Sequence, residues 1–276
     1  MLQTEPATMK AVRFDRYGDL DVLQVVDLPI PDPAPGQVLL KVKAASINPG
    51  EASIRKGLLH TMFPATFPSG EGSDFAGVVT KVGADVAGFL EGDELIGFTN
   101  FRASHAEYVI AEAQNLIRKP SNVPWEVAGS LPVAGSTAYA AVRAVSLKAG
   151  DKVAVSGAAG GVGSIAVQLA KRTGAEVIGI AGQANHMWLN AHGVKPLGYG
   201  DDLIDRLRAV GVTAFIDLHG HGYVKLAIDL GINPARINTI IDFDAAKQYG
   251  TKSEGNQSAM NAAVLGNSPN YWPPVT

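Results

Sequence analysis

The residues of this sequence with the clearest chemical meaning are the small ones from 156 to 163, Ser-Gly-Ala-Ala-Gly-Gly-Val-Gly. An apolar run at 153–155 precedes them, and apolar residues at helical spacing follow them. A strand, a glycine-rich turn and a helix in this order form the opening of a dinucleotide-binding unit. The alternative is an ordinary glycine-rich turn without a ligand, and a further strand pattern at 176–180 favours the dinucleotide.

The chemistry of this turn is phosphate binding. A pyrophosphate lies against backbone N–H groups at the start of a helix, where the helix dipole favours negative charge. Gly160 and Gly161 let the backbone approach the phosphates, and Gly163 lets helix and strand pack closely. Ala158 stands where the usual G-x-G-x-x-G pattern has its first glycine. The residues expected at the cofactor are therefore Ala158, Gly160, Gly161, Val162 and Gly163.

The segment after the predicted strand at 176–180 distinguishes NADPH from NADH as the cofactor. NAD-selective sites carry Asp or Glu about 20 residues after the glycine turn, where it binds the ribose 2′-hydroxyl. Residues 178–186 contain no acid, and Glu176 comes too early in the strand. This absence favours NADPH, because no carboxylate repels a 2′-phosphate. Gln183, Asn185 and His186 are the expected hydrogen-bond donors there, and a polar helix cap with Asn185 as N-cap is the alternative.

Composition and charge exclude several other functions. The chain has 276 residues, enough for about two domains. A net charge of -3 favours neither nucleic acid nor an anionic membrane as a partner. The absence of cysteine removes thiolate zinc sites and a cysteine nucleophile. No apolar run approaches the ~20 residues of a membrane helix, and residues 1–8 lack a signal core, so a cytoplasmic location is expected.

The elements that must position these residues form two regions. Residues 9–120 are β-rich, with short runs separated by Gly and Pro, which is typical of a barrel-like domain. Helices are predicted at 49–57, 125–131 and 136–145. The predicted strands of this region are 11–14, 23–26, 38–45, 76–82, 94–97 and 107–110.

The second region alternates strand and helix from 150 to 243, which predicts an α/β fold with a doubly wound parallel sheet. The predicted strands are 152–156, 176–180, 196–199, 214–217 and 237–241. The predicted helices are 163–173, 185–192, 203–209 and 223–230.

Several motifs outside the glycine turn occur in an order that is similar to one known family. They are Met9-Lys10-Ala11, Ala45-Ser46-Ile47-Asn48-Pro49, Gly72-Ser73-Asp74-Phe75-Ala76-Gly77-Val78-Val79, Glu91-Gly92-Asp93, Ala106-Glu107-Tyr108-Val109 and Thr137-Ala138-Tyr139. With the turn, they resemble the medium-chain dehydrogenase/reductase superfamily, in its zinc-free quinone oxidoreductase-like branch. The resemblance covers residues 9 to about 260.

The resemblance implies a domain order. We expect a loose extension at 1–8, a GroES-like catalytic domain at 9–132, a Rossmann nicotinamide-binding domain at 133–260 and an irregular tail at 261–276. Members of the superfamily usually continue past this chain's end with a segment that completes the catalytic domain. The resemblance therefore implies a truncated C-terminus, with weaker stability, activity or dimerisation; a homodimer is the family expectation.

The resemblance also bears on metal chemistry. Zinc-dependent relatives place a Cys ligand where this chain has Asn48 and a His ligand where it has Ser73, and neither Asn nor Ser is a usual zinc ligand. No catalytic metal is therefore expected. Hydride transfer from NADPH to a quinone or an α,β-unsaturated carbonyl, which needs no metal, becomes the leading hypothesis.

Four further positions are candidates for this chemistry. Asn48 is the expected catalytic residue, because its amide can donate to a carbonyl oxygen or to the nicotinamide ribose; a turn-forming Asn before Pro49 is the alternative. Glu51 and Arg55 are four residues apart on the helix and rank below Asn48 as candidates, because at this spacing they could form an ordinary solvated ion pair. Thr137 is implied by the resemblance to lie near the nicotinamide, with packing inside a helix as the alternative.

The stretch Leu218-His219-Gly220-His221-Gly222 follows a predicted strand at its carboxyl end, where ligands bind in such sheets. Leu218 is therefore expected beside the cofactor. The His-x-His pair also permits a metal site, but no third ligand is near in the sequence.

Two other functions stay open. Enoyl-thioester reductases of this superfamily use a Tyr proton donor where this chain has Phe63, which lacks a hydroxyl. His60 and His105 could donate instead, although surface loops are the expected place for both. The other alternative is a non-catalytic NADPH-binding protein, which keeps the fold but has lost turnover with its C-terminus.

Overall fold

The structure is a computed structural model that describes residues 8–255. These residues divide into two compact units, 8–133 and 134–255. The expected tail at 261–276 lies outside the described residues, as does the expected extension apart from Thr8. Thr8 itself is not part of a loose extension, because it is the first residue of strand β1.

The first unit is built from eight strands. Strands β1 (Thr8–Phe14), β2 (Gln24–Pro29) and β4 (Ser69–Gly70) form one antiparallel sheet in the order β2-β1-β4. The second sheet has the order β7-β3-β5-β6-β8 and is also antiparallel. Its strands are β3 (Gln37–Ala45), β5 (Asp74–Val82), β6 (Glu94–Phe98), β7 (Tyr108–Glu112) and β8 (Leu116–Arg118).

The second sheet positions the polar residues of this unit. Apolar residues of its strands alternate into a buried core around Val38, Leu40 and Phe75. Ala45 at the end of β3 pairs with Phe75 at the start of β5. The segments that leave β3 and enter β5 are therefore neighbours. Helix α1 (Pro49–Arg55) follows β3 directly, and α2 (Trp125–Ala128) and α3 (Leu131–Ala144) come after β8.

The second unit is the predicted doubly wound parallel sheet, with the strand order β11-β10-β9-β12-β13. Its strands are β9 (Lys152–Ser156), β10 (Glu176–Ile180), β11 (Lys195–Leu197), β12 (Ala214–Asp217) and β13 (Ile237–Thr239). Its helices are α4 (Gly161–Arg172), α5 (His186–Ala191), α6 (Leu203–Val210), α7 (Tyr223–Asp229) and α8 (Phe243–Tyr249).

Two apolar cores cover the faces of this sheet. One contains Ala166 and Leu169 of α4 and Leu189 of α5, and the other contains Leu207 of α6 and Ala227 of α7. The strand order reverses at β9, whose neighbours are β10 and β12. The carboxyl end of β9 is thus the topological switch point at which such sheets bind ligands.

Most strand and helix boundaries agree with the sequence prediction to within three residues, and the largest difference is α3, predicted at 136–145 but observed at Leu131–Ala144. The predicted strand at 237–241 ends at Thr239, because the chain bends at residues 240–241 before α8, and β11 runs over 195–197 instead of 196–199. Strands β4 and β8 and helix α8 were not predicted; the two strands have only two and three residues, too few to show an alternating pattern. Among residues 8–255, no helix is long and apolar enough to cross a membrane.

Candidate functional site

The glycine turn in the second unit leaves backbone donors at the start of α4. Gly157 has a φ of 60°, a conformation that favours glycine. Gly160 is the N-cap of α4, and because it has no side chain it cannot cap the helix. The N–H groups of Gly161, Val162 and Gly163 begin a 12-residue helix and have no partner within it. These are the groups that a pyrophosphate needs.

Positions 161 and 163 of this turn are glycine for different physical reasons. A Cβ at Gly163 would lie 2.0 Å from Gly157 O, so only glycine lets α4 pack against the turn. A Cβ at Gly161 would meet no atom within 4 Å, so this glycine is not required by the described protein atoms. Ala158 is fully buried, and its Cβ would lie 3.0 Å from a Cβ on Gly179 of β10. Alanine therefore fits at position 158, where the usual pattern has glycine, because the facing residue on the neighbouring strand is Gly179.

The segment after β10 has the polar, acid-free character that the sequence indicates. Gln183 and Asn185 are exposed. Asn185 is the N-cap residue of α5, as the helix-cap alternative predicts, but its side chain makes no capping hydrogen bond. His186 is half-buried, with Nε2 3.1 Å from Ala181 O. Glu176 lies at the other end of β10, away from this segment, and its Oε2 is 3.9 Å from Lys152 Nζ.

A buried network that the sequence did not reveal joins the strand ends of this unit. Asp217 Oδ1 accepts from Ser156 Oγ at 2.6 Å and from the backbone N–H groups of His219 and Gly220. Its Oδ2 accepts from Thr239 Oγ1 at 2.9 Å. Leu218 N donates to Ser156 Oγ at 3.0 Å, so this network fixes the backbone of the predicted cofactor residue Leu218. The signal in the sequence is a polar residue at the end of each of three apolar strands.

The loop after β12 also forms an aromatic cluster. The rings of His219 and His221 are 5.0 Å apart, and Tyr199 and Tyr223 lie about 6 Å from His219. A cavity of about 410 Å³ adjoins His219, His221 and Tyr223 between α6 and α7. Within the described part of the chain, no three His, Cys, Asp or Glu side chains come close enough to hold a metal ion.

Thr137 lies in α3 and is almost fully buried. Its hydroxyl donates to Gly255 O at 3.2 Å. The role expected from the resemblance, beside the nicotinamide, stays a prediction. The observed bond shows that the hydroxyl also holds the segment after β13 against α3.

In the first unit, Asn48 lies in a dense polar cluster. Its Nδ2 is 3.1 Å from Ser46 Oγ, 3.2 Å from Asp74 Oδ2 and 3.3 Å from Glu51 Oε1. Asn48 is the N-cap of α1, and its backbone N–H donates to Glu51 Oε2 at 2.8 Å, as in a capping box. The residues converge because β3, α1 and the start of β5 are neighbours. Of this cluster, Asn48 and Glu51 were candidates from the sequence, whereas Ser46 and Asp74 were not.

Glu51 and Arg55 do not form the ion pair that their helical spacing allows. Glu51 instead accepts from the backbone N–H groups of Asn48 and Ser73, each at 2.8 Å. Arg55 forms a buried salt bridge with Glu71, and the two side chains are only 7% and 6% exposed. The helical spacing suggested a solvated pair, but both side chains turn into the protein, where partners distant in sequence compete for them.

Burial raises the pKa of two carboxyl groups in this region, those of Asp74 and Glu71. Asp74 is fully buried, and desolvation raises its pKa to about 7, although hydrogen bonds from Ser46, Asn48 and Val133 N oppose the shift. Desolvation also raises the pKa of Glu71, against the opposing effect of Arg55. The cluster therefore contains a carboxyl group that titrates near neutral pH.

The two histidines of this unit have different surroundings. His60 is exposed, as expected, and its Nδ1 lies 2.8 Å from Gly57 O. His105 lies in a loop, as expected, but it is half-buried instead of on the surface, and its Nε2–H donates to Ser46 O at 2.7 Å. Gly72 has a φ of 86°, and a Cβ there would lie 2.4 Å from the His105 ring. This glycine therefore lets His105 pack against the segment that carries Ser73.

Comparison with known proteins places this geometry in context. Residues 34–121 match the alcohol dehydrogenase GroES-like domain. Human quinone oxidoreductase is 34% identical over 240 residues, which cover 84% of this chain and 72% of that protein. The solved structure of the quinone oxidoreductase from Coxiella burnetii has 34% identity and a TM-score of 0.81, and the match covers 95% of this chain and 87% of that one.

Two plant proteins are more identical over a shorter stretch. The 2-methylene-furan-3-one reductase of Solanum lycopersicum and the chloroplastic NADPH-dependent alkenal/one oxidoreductase of Arabidopsis thaliana are each 39% identical over 178 residues. The match covers 60% of this chain and 45% of each plant protein. The chain thus spans about half the length of these two relatives.

Proposed function

Since this chain belongs to the quinone oxidoreductase-like branch of the medium-chain dehydrogenase/reductase superfamily, we propose that it transfers hydride from NADPH to a quinone or an α,β-unsaturated carbonyl without zinc. The observation that carries this proposal is the open space at Gly161, beside helix donors without a capping side chain. A ligand with phosphate groups fits there, because backbone N–H groups and the α4 dipole both favour an anion.

The choice of NADPH rests on the segment after β10. Residues 181–186 contain no carboxylate that would bind a ribose 2′-hydroxyl and repel a 2′-phosphate. Gln183 and Asn185 are exposed, so their side chains are accessible to that phosphate. A relative with 39% identity is named NADPH-dependent, which supports the same cofactor here.

The roles of the protein residues follow from their chemistry. The reduced nicotinamide supplies the hydride, and the protein binds and orients the reactants. Residues 158 and 160–163 would hold the pyrophosphate, and Leu218 would line the cofactor through a backbone that Asp217 and Ser156 fix. At the positions where zinc-dependent relatives have ligands, Asn48 and Ser73 instead take part in hydrogen bonds with Glu51. This arrangement favours an acceptor that is already electrophilic.

The proposal is tested by following the oxidation of NADPH at 340 nm. The acceptors are benzoquinone, a naphthoquinone, an alkenal and crotonyl-CoA, and NADH is the cofactor control. We expect turnover with a quinone or the alkenal. Absence of NADPH binding in a titration contradicts the proposal; binding without oxidation of any acceptor supports a non-catalytic protein, and a strong preference for crotonyl-CoA supports an enoyl-thioester reductase.

A further inference from the structure

The polar cluster around Asn48 determines which end of its amide can bind a ligand. An amide nitrogen carries two hydrogens, and Nδ2 of Asn48 has acceptors on three residues, Ser46, Glu51 and Asp74, within 3.3 Å. Both hydrogens are therefore used within the protein. The remaining capacity of the side chain is on Oδ1, which accepts hydrogen bonds; the capping box directs one of its two lone pairs to the backbone N–H of Glu51, and the other is left for a ligand.

The carboxylate of Glu51, and that of Asp74 above its pKa of about 7, make the inverted amide unfavourable. In that orientation, Asn48 Oδ1 would face oxygen atoms of Asp74 and Glu51 at the distances that Nδ2 now occupies. Asp74 is fully buried and Glu51 is 6% exposed, so water screens this repulsion poorly. The carboxylates are themselves held, because Asp74 accepts from Val133 N at 3.1 Å and Glu51 accepts from Ser73 N at 2.8 Å.

We propose that Asp74 and Glu51 are positioning residues that present Asn48 as a hydrogen-bond acceptor, so that Asn48 Oδ1 binds a hydroxyl group of the ligand. This inference rests on the proposed function, which supplies two such hydroxyls: a ribose hydroxyl of NADPH and the hydroxyl of a hydroquinone product. It replaces the role expected from the sequence, in which the amide donates to a carbonyl oxygen or to the nicotinamide ribose.

The source of the hydroxyl is tested with two probes in the Asn48→Ala variant. The first is the dissociation constant of NADPH, measured by its fluorescence, and the second is inhibition by 1,4-hydroquinone. We expect one of them to weaken about fivefold, the effect of one neutral hydrogen bond. Weaker NADPH binding assigns the hydroxyl to the cofactor. Weaker inhibition by hydroquinone, with inhibition by 1,4-dimethoxybenzene unchanged, assigns it to the acceptor; no change in either probe overturns the proposal.

The positioning role is tested by a double-mutant cycle. In Asp74→Asn, an NH₂ group replaces one acceptor oxygen, so the side chain cannot accept from both Val133 N and Asn48 Nδ2. We expect kcat/KM to fall about fivefold in Asp74→Asn and no further fall when the substitution is added to Asn48→Ala. Equal effects in both backgrounds would mean a merely structural Asp74 and would overturn the proposal. Asp151→Asn, at another nearly buried carboxylate, is the control and should not couple to Asn48.

The orientation of the amide is also measurable in the wild-type protein without ligand. The side-chain NH₂ signals of Asn48 are identified by NMR as those missing from Asn48→Ala. We expect their hydrogen exchange to be at least about tenfold slower than that of the exposed Asn190, because both hydrogens are bonded. Equally fast exchange contradicts the proposal. This measurement requires no turnover, so it separates failure of this inference from failure of the proposed oxidoreductase function.

Discussion

Ser156 Oγ donates to Asp217 Oδ1 at 2.6 Å, which joins the end of β9, where the glycine turn begins, to the end of β12. The same carboxylate accepts from Thr239 Oγ1 at the end of β13. Asp217 therefore connects the carboxyl ends of three adjacent strands. Because these ends surround the predicted cofactor site, the network links the stability of the sheet to the shape of that site.

We predict that Asp217→Asn lowers the free energy of unfolding by about 3 kcal/mol, because an amide cannot accept all the hydrogen bonds that reach the buried carboxylate. Urea unfolding measures this change, and NADPH affinity should fall in the same variant. Asp242→Ala is the matched control: Asp242 caps α8 by accepting from Ala245 N, and its loss should cost about 1 kcal/mol. Equal losses in the two variants would contradict a special role for Asp217.

Gly161→Ala and Gly163→Ala should separate ligand binding from packing. The methyl group that Gly161→Ala introduces would meet no atom of the described protein, so stability should stay unchanged or rise by up to about 1 kcal/mol. NADPH affinity should nevertheless fall more than about tenfold, because the methyl group fills the space for the phosphates. Gly163→Ala should instead lower the melting temperature, since its Cβ would lie 2.0 Å from Gly157 O. Unchanged NADPH affinity in Gly161→Ala would argue against phosphate binding at this turn.

Gln183→Asp should change the preference between the two cofactors. The new carboxylate would repel the 2′-phosphate, so the ratio of kcat/KM for NADPH to that for NADH should fall by about tenfold. Steady-state kinetics with both cofactors measure the ratio. Asn190→Asp adds the same charge at an exposed position on α5 and should leave the ratio unchanged. If both variants behave alike, the effect is one of net charge and the 2′-phosphate does not lie at Gln183.

Asp74 should make stability depend on pH. Its pKa is about 7 in the folded protein and near 3.8 when unfolded, so the folded state binds more protons between these values. The stability from this group is fully present below about pH 3.8 and is lost as the pH rises to about 7. Urea unfolding between pH 5 and pH 8 should show this decrease in the wild type and a smaller one in Asp74→Asn. Parallel curves for the two proteins would contradict the raised pKa.

The buried pair of Arg55 and Glu71 should matter far more than an exposed one. Arg55→Ala leaves the Glu71 carboxylate buried without its partner, so the free energy of unfolding should fall by about 3 kcal/mol. Lys10 and Asp27 form the comparison, because both side chains are more than 60% exposed. Lys10→Ala should change stability by less than about 0.5 kcal/mol. Thermal and urea unfolding measure both variants, and similar losses would contradict the burial argument.

The sequence by itself determined the local features. The glycine turn, the alternation of strands and helices from 150 to 243 and the acid-free segment after β10 are patterns of adjacent residues. They depend on backbone conformation and on apolar periodicity, which neighbouring residues largely set. For the same reason, strands such as β9 and β12 were predicted to the residue, whereas the three-residue β8 was not.

Only the tertiary structure decided the partners of the polar side chains. The helical spacing paired Glu51 with Arg55, but the fold brought Ser73 to Glu51 and Glu71 to Arg55. Asn48 and Asp74 are 26 residues apart, and Ser156 and Asp217 are 61 apart. Such contacts have no periodicity along the chain, because strand pairing sets them. The orientation of the Asn48 amide, and with it the kind of ligand group that it can bind, therefore follows from the fold and not from the sequence motif that first indicated the residue.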